Sequence, residues 1–440
     1  MKIMFISLGC DKNLVDTEKM LGLLGAKGYS FTDDETEAEI IVVNSCCFIN
    51  DAKEESIETI LEMAQYKENG NLKALIVTGC LAERYKDEII KEIPEVDAVL
   101  GTASYDDIVE AVDAALNGEK PLIFKEINRI PEIDVNRMVT TGGYYAHLKI
   151  AEGCDKHCTY CIIPKIRGNF RSVPMESLVK EAEYLASIGV KELILVAQET
   201  TMYGVDLYGE KSLHILLKEL CKINGIKMVR IMYCYPEEIY DELIETIATE
   251  KKVCHYLDMP IQHCSDSVLK RMGRRTSKNE LIAIINKLRQ RIPDIVLRTT
   301  LIAGFPGETE ENHQEMMEFV DEMEFDRLGV FTYSPEENTP AATMDNQLPE
   351  DVKEQWRDEI MELQQEIAFD KSISMIGREL LVMVEGKIAN EPAYVGRTYM
   401  DAPGIDGNIF ISTGEEFISG DLVKVKVTGA NEYDLIGEVL

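Results

Sequence analysis

Three cysteines fall within one short run, Cys154-Asp155-Lys156-His157-Cys158-Thr159-Tyr160-Cys161, spaced C-x3-C-x2-C. Thiolates are soft ligands suited to iron–sulfur clusters and to zinc. Three at this spacing can each take one iron of a [4Fe–4S] cube and leave the fourth iron without a protein ligand. A catalytic metal centre requires such an open position, whereas structural sites are saturated. The competing reading is a zinc site completed by His157 or by a distant cysteine. Structural zinc sites usually pair two Cys/His couples, and no second couple is present.

Three more thiols, Cys10, Cys46 and Cys80, each stand just past an apolar run: Lys2 to Ser7, Glu39 to Asn44 and Lys73 to Thr78. If those runs are strands of one sheet, the thiols converge on one of its edges. The competing reading is core packing, since a free cysteine behaves as a small hydrophobe. Cys221, Cys234, Cys254 and Cys264 are scattered and read that way. Eleven cysteines, an odd count with no secretory context, argue against a disulfide framework and for a reducing, cytoplasmic setting.

The elements that must position these residues follow from periodicity. Over residues 1–118 strand patterns alternate with helical ones at Asn13 to Leu24, Ala52 to Ala64 and Glu83 to Ile93, which predicts a small flavodoxin-like or Rossmann-like parallel α/β domain. Residues 119–141 lose the pattern and read as a linker. Strands then recur near 144–150, 192–197, 228–233, 254–258, 295–302 and 328–332, with amphipathic helices between them. Six βα units are two short of a closed barrel. Residues 142–372 are therefore predicted to form an open three-quarter (β/α)6 barrel, with its chemistry at the carboxyl ends of the strands. Residues 376–440 alternate in short, glycine-punctuated strands and read as a small antiparallel β-barrel.

Charge bounds the partners. In 440 residues, 46 Lys and Arg face 79 Asp and Glu, a net −33. Such a surface disfavours a phosphate backbone and suits a basic partner. The terminal barrel holds five basic and eleven acidic residues, net −6, so it lacks the basic face that nucleic-acid binding needs. The amino terminus reads as a strand rather than a signal peptide, and no apolar run is long enough to span a membrane.

The C-x3-C-x2-C run at the top of a βα barrel resembles the radical S-adenosylmethionine superfamily. The trio Cys10, Cys46 and Cys80, set in SLGCDKN, VVNSCCFI and VTGCLAERY, resembles the amino-terminal domain of the methylthiotransferases within it. The segments YAHLKIAEGCDKHCTYCIIPKIRGNFRS, YLDMPIQHCSD, RTTLIAGFPGET, FDRLGVFTYSPEENTPAA and YVGRTYMDAPGIDG look like the branch that modifies an aspartate of small-subunit ribosomal protein S-twelve. The terminal barrel resembles a TRAM domain. The neighbouring branch modifies an adenosine of transfer RNA, and there a basic terminal barrel is expected.

The resemblance implies two [4Fe–4S] clusters, an auxiliary one on Cys10, Cys46 and Cys80 and a central one on Cys154, Cys158 and Cys161. Cys47, beside Cys46, departs from the small residue expected there. It also implies S-adenosylmethionine, cleaved to a 5′-deoxyadenosyl radical that takes a hydrogen from the aspartate β-carbon, with two cofactor molecules used per product. Gln198 and Glu199 would meet the cofactor's amino group and Arg298 its carboxylate, while Tyr160 would pack near the adenine. For Glu199 an exposed loop carboxylate, and for Arg298 a structural ion pair, are the competing readings. His263 reads as a satisfied loop histidine. Expected partners are basic ribosomal protein S-twelve, free or in the small subunit, and a low-potential electron donor such as flavodoxin or ferredoxin. A membrane and a nucleic-acid substrate are not expected. The alternatives are a transfer-RNA methylthiotransferase and, in a different class, a non-catalytic two-cluster carrier.

Overall fold

A computed structural model describes residues 1–131 and 135–440. The amino-terminal sheet is all parallel. Its order is Ser30–Phe31, Lys2–Ser7, Ile40–Ser45, Ala74–Gly79, Ala98–Leu100 and Leu122–Ile123. The two central strands, IIVVNS and ALIVTG, are buried at every position, as a sheet covered by helices on both faces requires.

The span read as a linker is corrected in two respects. Leu122–Ile123 is the sheet's edge strand, and residues further on are tied down: Met138 N–H donates to Glu18 O at 3.0 Å and Thr140 N–H to Glu18 Oε1 at 2.7 Å. Loss of periodicity marks the end of regular elements, not the end of contacts. Residues 132–134 of that span lie outside the described residues. The helix expected over Glu83 to Ile93 is two helices, Cys80–Tyr85 and Asp87–Glu92, broken where Lys86 takes a φ of 47°.

The central sheet has six parallel strands in the order Arg327–Thr332, Val296–Ala303, Val253–Asp258, Met228–Ile231, Glu192–Val196 and Tyr145–Lys149, open between its two edges. Its outer face packs on helices through Leu178, Ala182, Leu185, Leu213, Leu216 and Leu217. The long helix Glu350–Ser374 lies along the last strand.

The carboxyl-terminal segment is a closed five-stranded barrel in the order Glu379–Lys387, Ala393–Arg397, Ile409–Ser412, Leu435–Val439 and Leu422–Ala430. It is not wholly antiparallel, because Ile409–Ser412 runs parallel to Leu435–Val439. Its core is continuous with the inward face of the central sheet: Ile194, Met228, Cys254 and Tyr256 pack with Val382, Met383, Met400 and Ile409. Buried charges cross the same interface. Arg397 reaches Glu192 at 2.7 Å, Arg298 reaches Asp406 at 3.3 Å, and Arg327 pairs with Asp401. Among the described residues, no helix is long and apolar enough to cross a membrane.

Candidate active site

Cys10 immediately precedes helix Asp11–Ala26, Cys46 follows strand Ile40–Ser45, and Cys80 opens helix Cys80–Tyr85 directly after strand Ala74–Gly79. The three preceding strands are sheet neighbours, so the thiols share one edge. Close approach depends on Gly9, whose φ is +85°; a Cβ there would lie 2.7 Å from both Cβ and Sγ of Cys46.

Asn13, which the sequence reading did not single out, ties the three loops together. Its Nδ2 donates to Leu8 O and to Ser45 O, each at 3.0 Å, and its Oδ1 lies 3.9 Å from Cys80 Sγ. Ser56 Oγ accepts the Cys46 N–H and donates to the Cys46 carbonyl, both at 2.9 Å. Burial pushes the Cys46 and Cys80 thiols up. Cys47 is buried among Ile60, Leu81 and Ile89, with its carbonyl accepting from Arg84 at 3.1 Å and its thiol pushed up to about 11 by burial.

The second thiol set is in the loop after strand Tyr145–Lys149. Its backbone is pinned by Cys154 N–H to Gly168 O at 3.1 Å and by Thr159 N–H to Met272 O at 2.9 Å. Cys158 Sγ lies 3.3 Å from the Tyr235 hydroxyl. Burial pushes the Cys154 thiol up to about 12 and raises that of Cys161. Thiols so desolvated are inert as free nucleophiles; they become thiolates when a metal displaces the proton. Among the described residues, no three His, Cys, Asp or Glu side chains close on a single metal ion. A cube asks for something else, since each of its irons takes its own thiolate and three thiols need only face one space. Both sets fit that donor chemistry.

The residues expected around a cofactor divide. Glu199 is buried and not a loop carboxylate in solvent. Its Oε1 accepts the Thr201 N–H at 2.9 Å, its Oε2 has no partner among the described residues, and burial raises its pKa to about 7. An orphaned carboxylate oxygen is a ready acceptor for an ammonium. Gln198 braces the loop that leads into the second thiol run, its Oε1 accepting the Gly153 N–H at 2.8 Å and its Nε2 donating to Glu152 at 2.7 Å. Arg298 is paired with Asp258 at 2.7 Å as well as with Asp406. Tyr160 stands edge-on to Phe305, ring centroids 6.4 Å apart, and Glu308 Oε2 closes the Phe305 turn by accepting the N–H groups of Gly304 and Phe305 at 2.8 and 2.9 Å. His263 is buried, accepting the Ser265 N–H at 2.9 Å.

Sequence also missed a buried charge cluster joining the two domains. Arg167 Nη1 meets Asp16 at 2.9 Å and Glu152 at 3.2 Å, its Nη2 donates to Asn13, and Lys149 meets Glu152 at 2.6 Å. The signal was present as basic residues flanking the second thiol run, but their partner Asp16 is remote in the chain.

Residues 2–101 match the family described as Uncharacterized protein family UPF0004, residues 148–320 the Radical SAM superfamily, and residues 376–440 the TRAM domain. The chain is 64% identical over 437 residues to "Ribosomal protein uS12 methylthiotransferase RimO" of Lachnoclostridium phytofermentans, covering 99% of each chain. The protein of the same name from Acetivibrio thermocellus is 51% identical over 446 residues, covering 100% of this chain and 98% of its own. Among solved structures, the radical S-adenosylmethionine methyltransferase TsrM from Kitasatospora setae aligns with a TM-score of 0.56 at 14% identity, over 77% of this chain and 76% of that one. At that identity the likeness is one of fold.

Proposed function

The chain belongs to the family of ribosomal protein uS12 methylthiotransferases, and on that premise we propose that it replaces a β-hydrogen of a uS12 aspartate with a methylthio group. It is a radical S-adenosylmethionine enzyme, using an iron–sulfur cluster and S-adenosylmethionine. The finer reading is two clusters, one on Cys154, Cys158 and Cys161 and one on Cys10, Cys46 and Cys80, with two cofactor molecules consumed per product. The observation that carries it is the gathering of Cys10, Cys46 and Cys80 at three neighbouring strand ends, joined to the barrel through Asn13 and Arg167.

When bound, the clusters and S-adenosylmethionine supply the radical that breaks an unactivated C–H bond and the sulfur that replaces the hydrogen. A general base would not serve at neutral pH, because that carbon carries no acidic proton. The chain's own residues bind, orient and exclude water. Glu199 Oε2 receives the cofactor's ammonium, and Tyr160 with Phe305 offers an apolar wall to its adenine. Cys46 rather than Cys47 is the auxiliary ligand, which its position against Gly9 and beside Cys10 supports. Electrons come from a low-potential donor such as flavodoxin or ferredoxin. The work is done in the cytoplasm, where the small subunit is made.

Anaerobic reconstitution tests this reading. With reductant, S-adenosylmethionine and a peptide of the uS12 aspartate loop, the expected products are 5′-deoxyadenosine and a methylthio mass gain on the peptide. Mass gain on undermodified transfer RNA alone would refute the substrate.

A further inference from the structure

Lys12 lies in the first turn of helix Asp11–Ala26, two residues past Cys10, and is only 6% exposed. Its Nζ sits 3.3 Å from the centroid of the Tyr233 ring. Among the described residues, no carboxylate oxygen lies within 4.0 Å of that ammonium. Four other cations near the thiols are matched with carboxylates: Arg167 with Asp16 at 2.9 Å, Lys149 with Glu152 at 2.6 Å, Arg298 with Asp258 at 2.7 Å and Arg274 with Glu237 at 3.6 Å. A buried ammonium is costly unless an anion meets it, and a ring face offsets only part of that cost.

Tyr233 relates this ammonium to both thiol sets. Its hydroxyl donates to Asp11 Oδ2 at 3.2 Å, next to Cys10, and two residues later the Tyr235 hydroxyl lies 3.3 Å from Cys158 Sγ. Tyr233 holds a φ of 60°, a left-handed backbone that a bulky residue keeps only when its surroundings enforce it. Here Asp258 Oδ2 accepts its N–H at 2.9 Å and its carbonyl accepts the Thr200 N–H at 3.1 Å. Strained backbone at the carboxyl end of a barrel strand thus holds an aromatic face beneath the ammonium, between the two cysteine loops.

Resting on the substrate reading above, we propose that Lys12 is the residue that recognises the target side chain. Its ammonium receives the aspartate carboxylate directly, the neighbouring Asp11 carboxylate being engaged by the Tyr233 hydroxyl. The β-carbon is bonded directly to that carboxyl carbon, so fixing the carboxylate sets the reacting carbon between the two thiol sets. An asparagine at the same position offers no charge and is rejected.

The test is a mutant cycle on the full-length, cluster-loaded enzyme, read by fluorescence anisotropy of labelled uS12-loop peptides carrying aspartate or asparagine at the target position. Wild type is expected to prefer aspartate by about tenfold to a hundredfold, the range of a charge-assisted hydrogen bond. Lys12→Met and Lys12→Gln should bind the two peptides equally, whereas Lys12→Arg keeps a preference for aspartate. Because the ratio is internal to each variant, a smaller folded fraction cancels. A wild-type preference that survives in Lys12→Met, or a wild type that binds both peptides equally, overturns the assignment. A preserved preference with an altered cluster absorption spectrum does so too, marking Lys12 as a counter-charge to the thiolates. Wild type binding neither peptide overturns the uS12 reading itself, and the assignment with it.

Discussion

One oxygen of Glu199 is held by Thr201 and the other, among the described residues, by nothing, and burial raises the carboxyl to about 7. If that oxygen anchors the cofactor's ammonium, binding needs the ionised form, which is lost as pH falls through that value. S-adenosylmethionine affinity, measured by equilibrium dialysis, should therefore drop between about pH 8 and about pH 6, and Glu199→Gln should flatten the profile and weaken binding about tenfold or more. Among the thiols, Cys158→Ala should abolish 5′-deoxyadenosine. Cys46→Ala should spare it but stop methylthiolation, and Cys47→Ala should leave methylthio product intact. Methylthio product from Cys46→Ala but not from Cys47→Ala would reverse the ligand choice. The thiols were legible in the sequence because ligand chemistry is written in residue type and spacing. An ion pair for Arg298 was one of two readings open in the sequence, but its partners and those of Gln198 were not legible, since an amide or a guanidinium declares its partner only once Glu152, Asp258 and Asp406 have been brought beside it.

At the level of elements, the long periodic runs predicted the central strands of both sheets and their helices. Two- and three-residue strands such as Ser30–Phe31, Ala98–Leu100 and Leu122–Ile123 are too short to carry a period. The break at Lys86 was hidden because apolar spacing runs through it. Helix Ile163–Arg167 is also short, yet it delivers Arg167 to Asp16, Glu152 and Asn13, joining the amino-terminal helix to the barrel. Removing one member of a buried charge set strands the others. Arg167→Met should cost about 3–5 kcal/mol in denaturant unfolding and lower the iron retained by the amino-terminal thiols.

For the molecule as a whole, the −33 balance favours a basic protein over a phosphate backbone, and added salt should weaken uS12 peptide binding in titrations at rising ionic strength. The charge is not all on display. Of the eleven acidic residues of the terminal barrel, Asp401 and Asp406 are spent on Arg327 and Arg298 and Glu385 on Arg397. Glu416 pairs with Lys387, and exposed Glu379, Glu391, Glu415, Glu432 and Glu438 remain for a partner. Deleting residues 376–440 should therefore cause loss of soluble folded protein, seen in size-exclusion profiles, and not a selective loss of docking. Composition foretold the sign of the surface but not which charges are turned inward, because burial is decided by packing.

The same interface has a consequence for synthesis. Domains fold as they emerge from the ribosome, at about 5–20 residues per second. The six strands of the central sheet are complete at Thr332, while Asp401 and Asp406 are still to be translated. Through that interval the nascent sheet holds Arg327 without its carboxylate and an open inner wall of Met228, Cys254 and Tyr256. How long that wall stays open to chaperones and to aggregation is thus set by domain order along the chain, and the interval ends when the small barrel packs onto it.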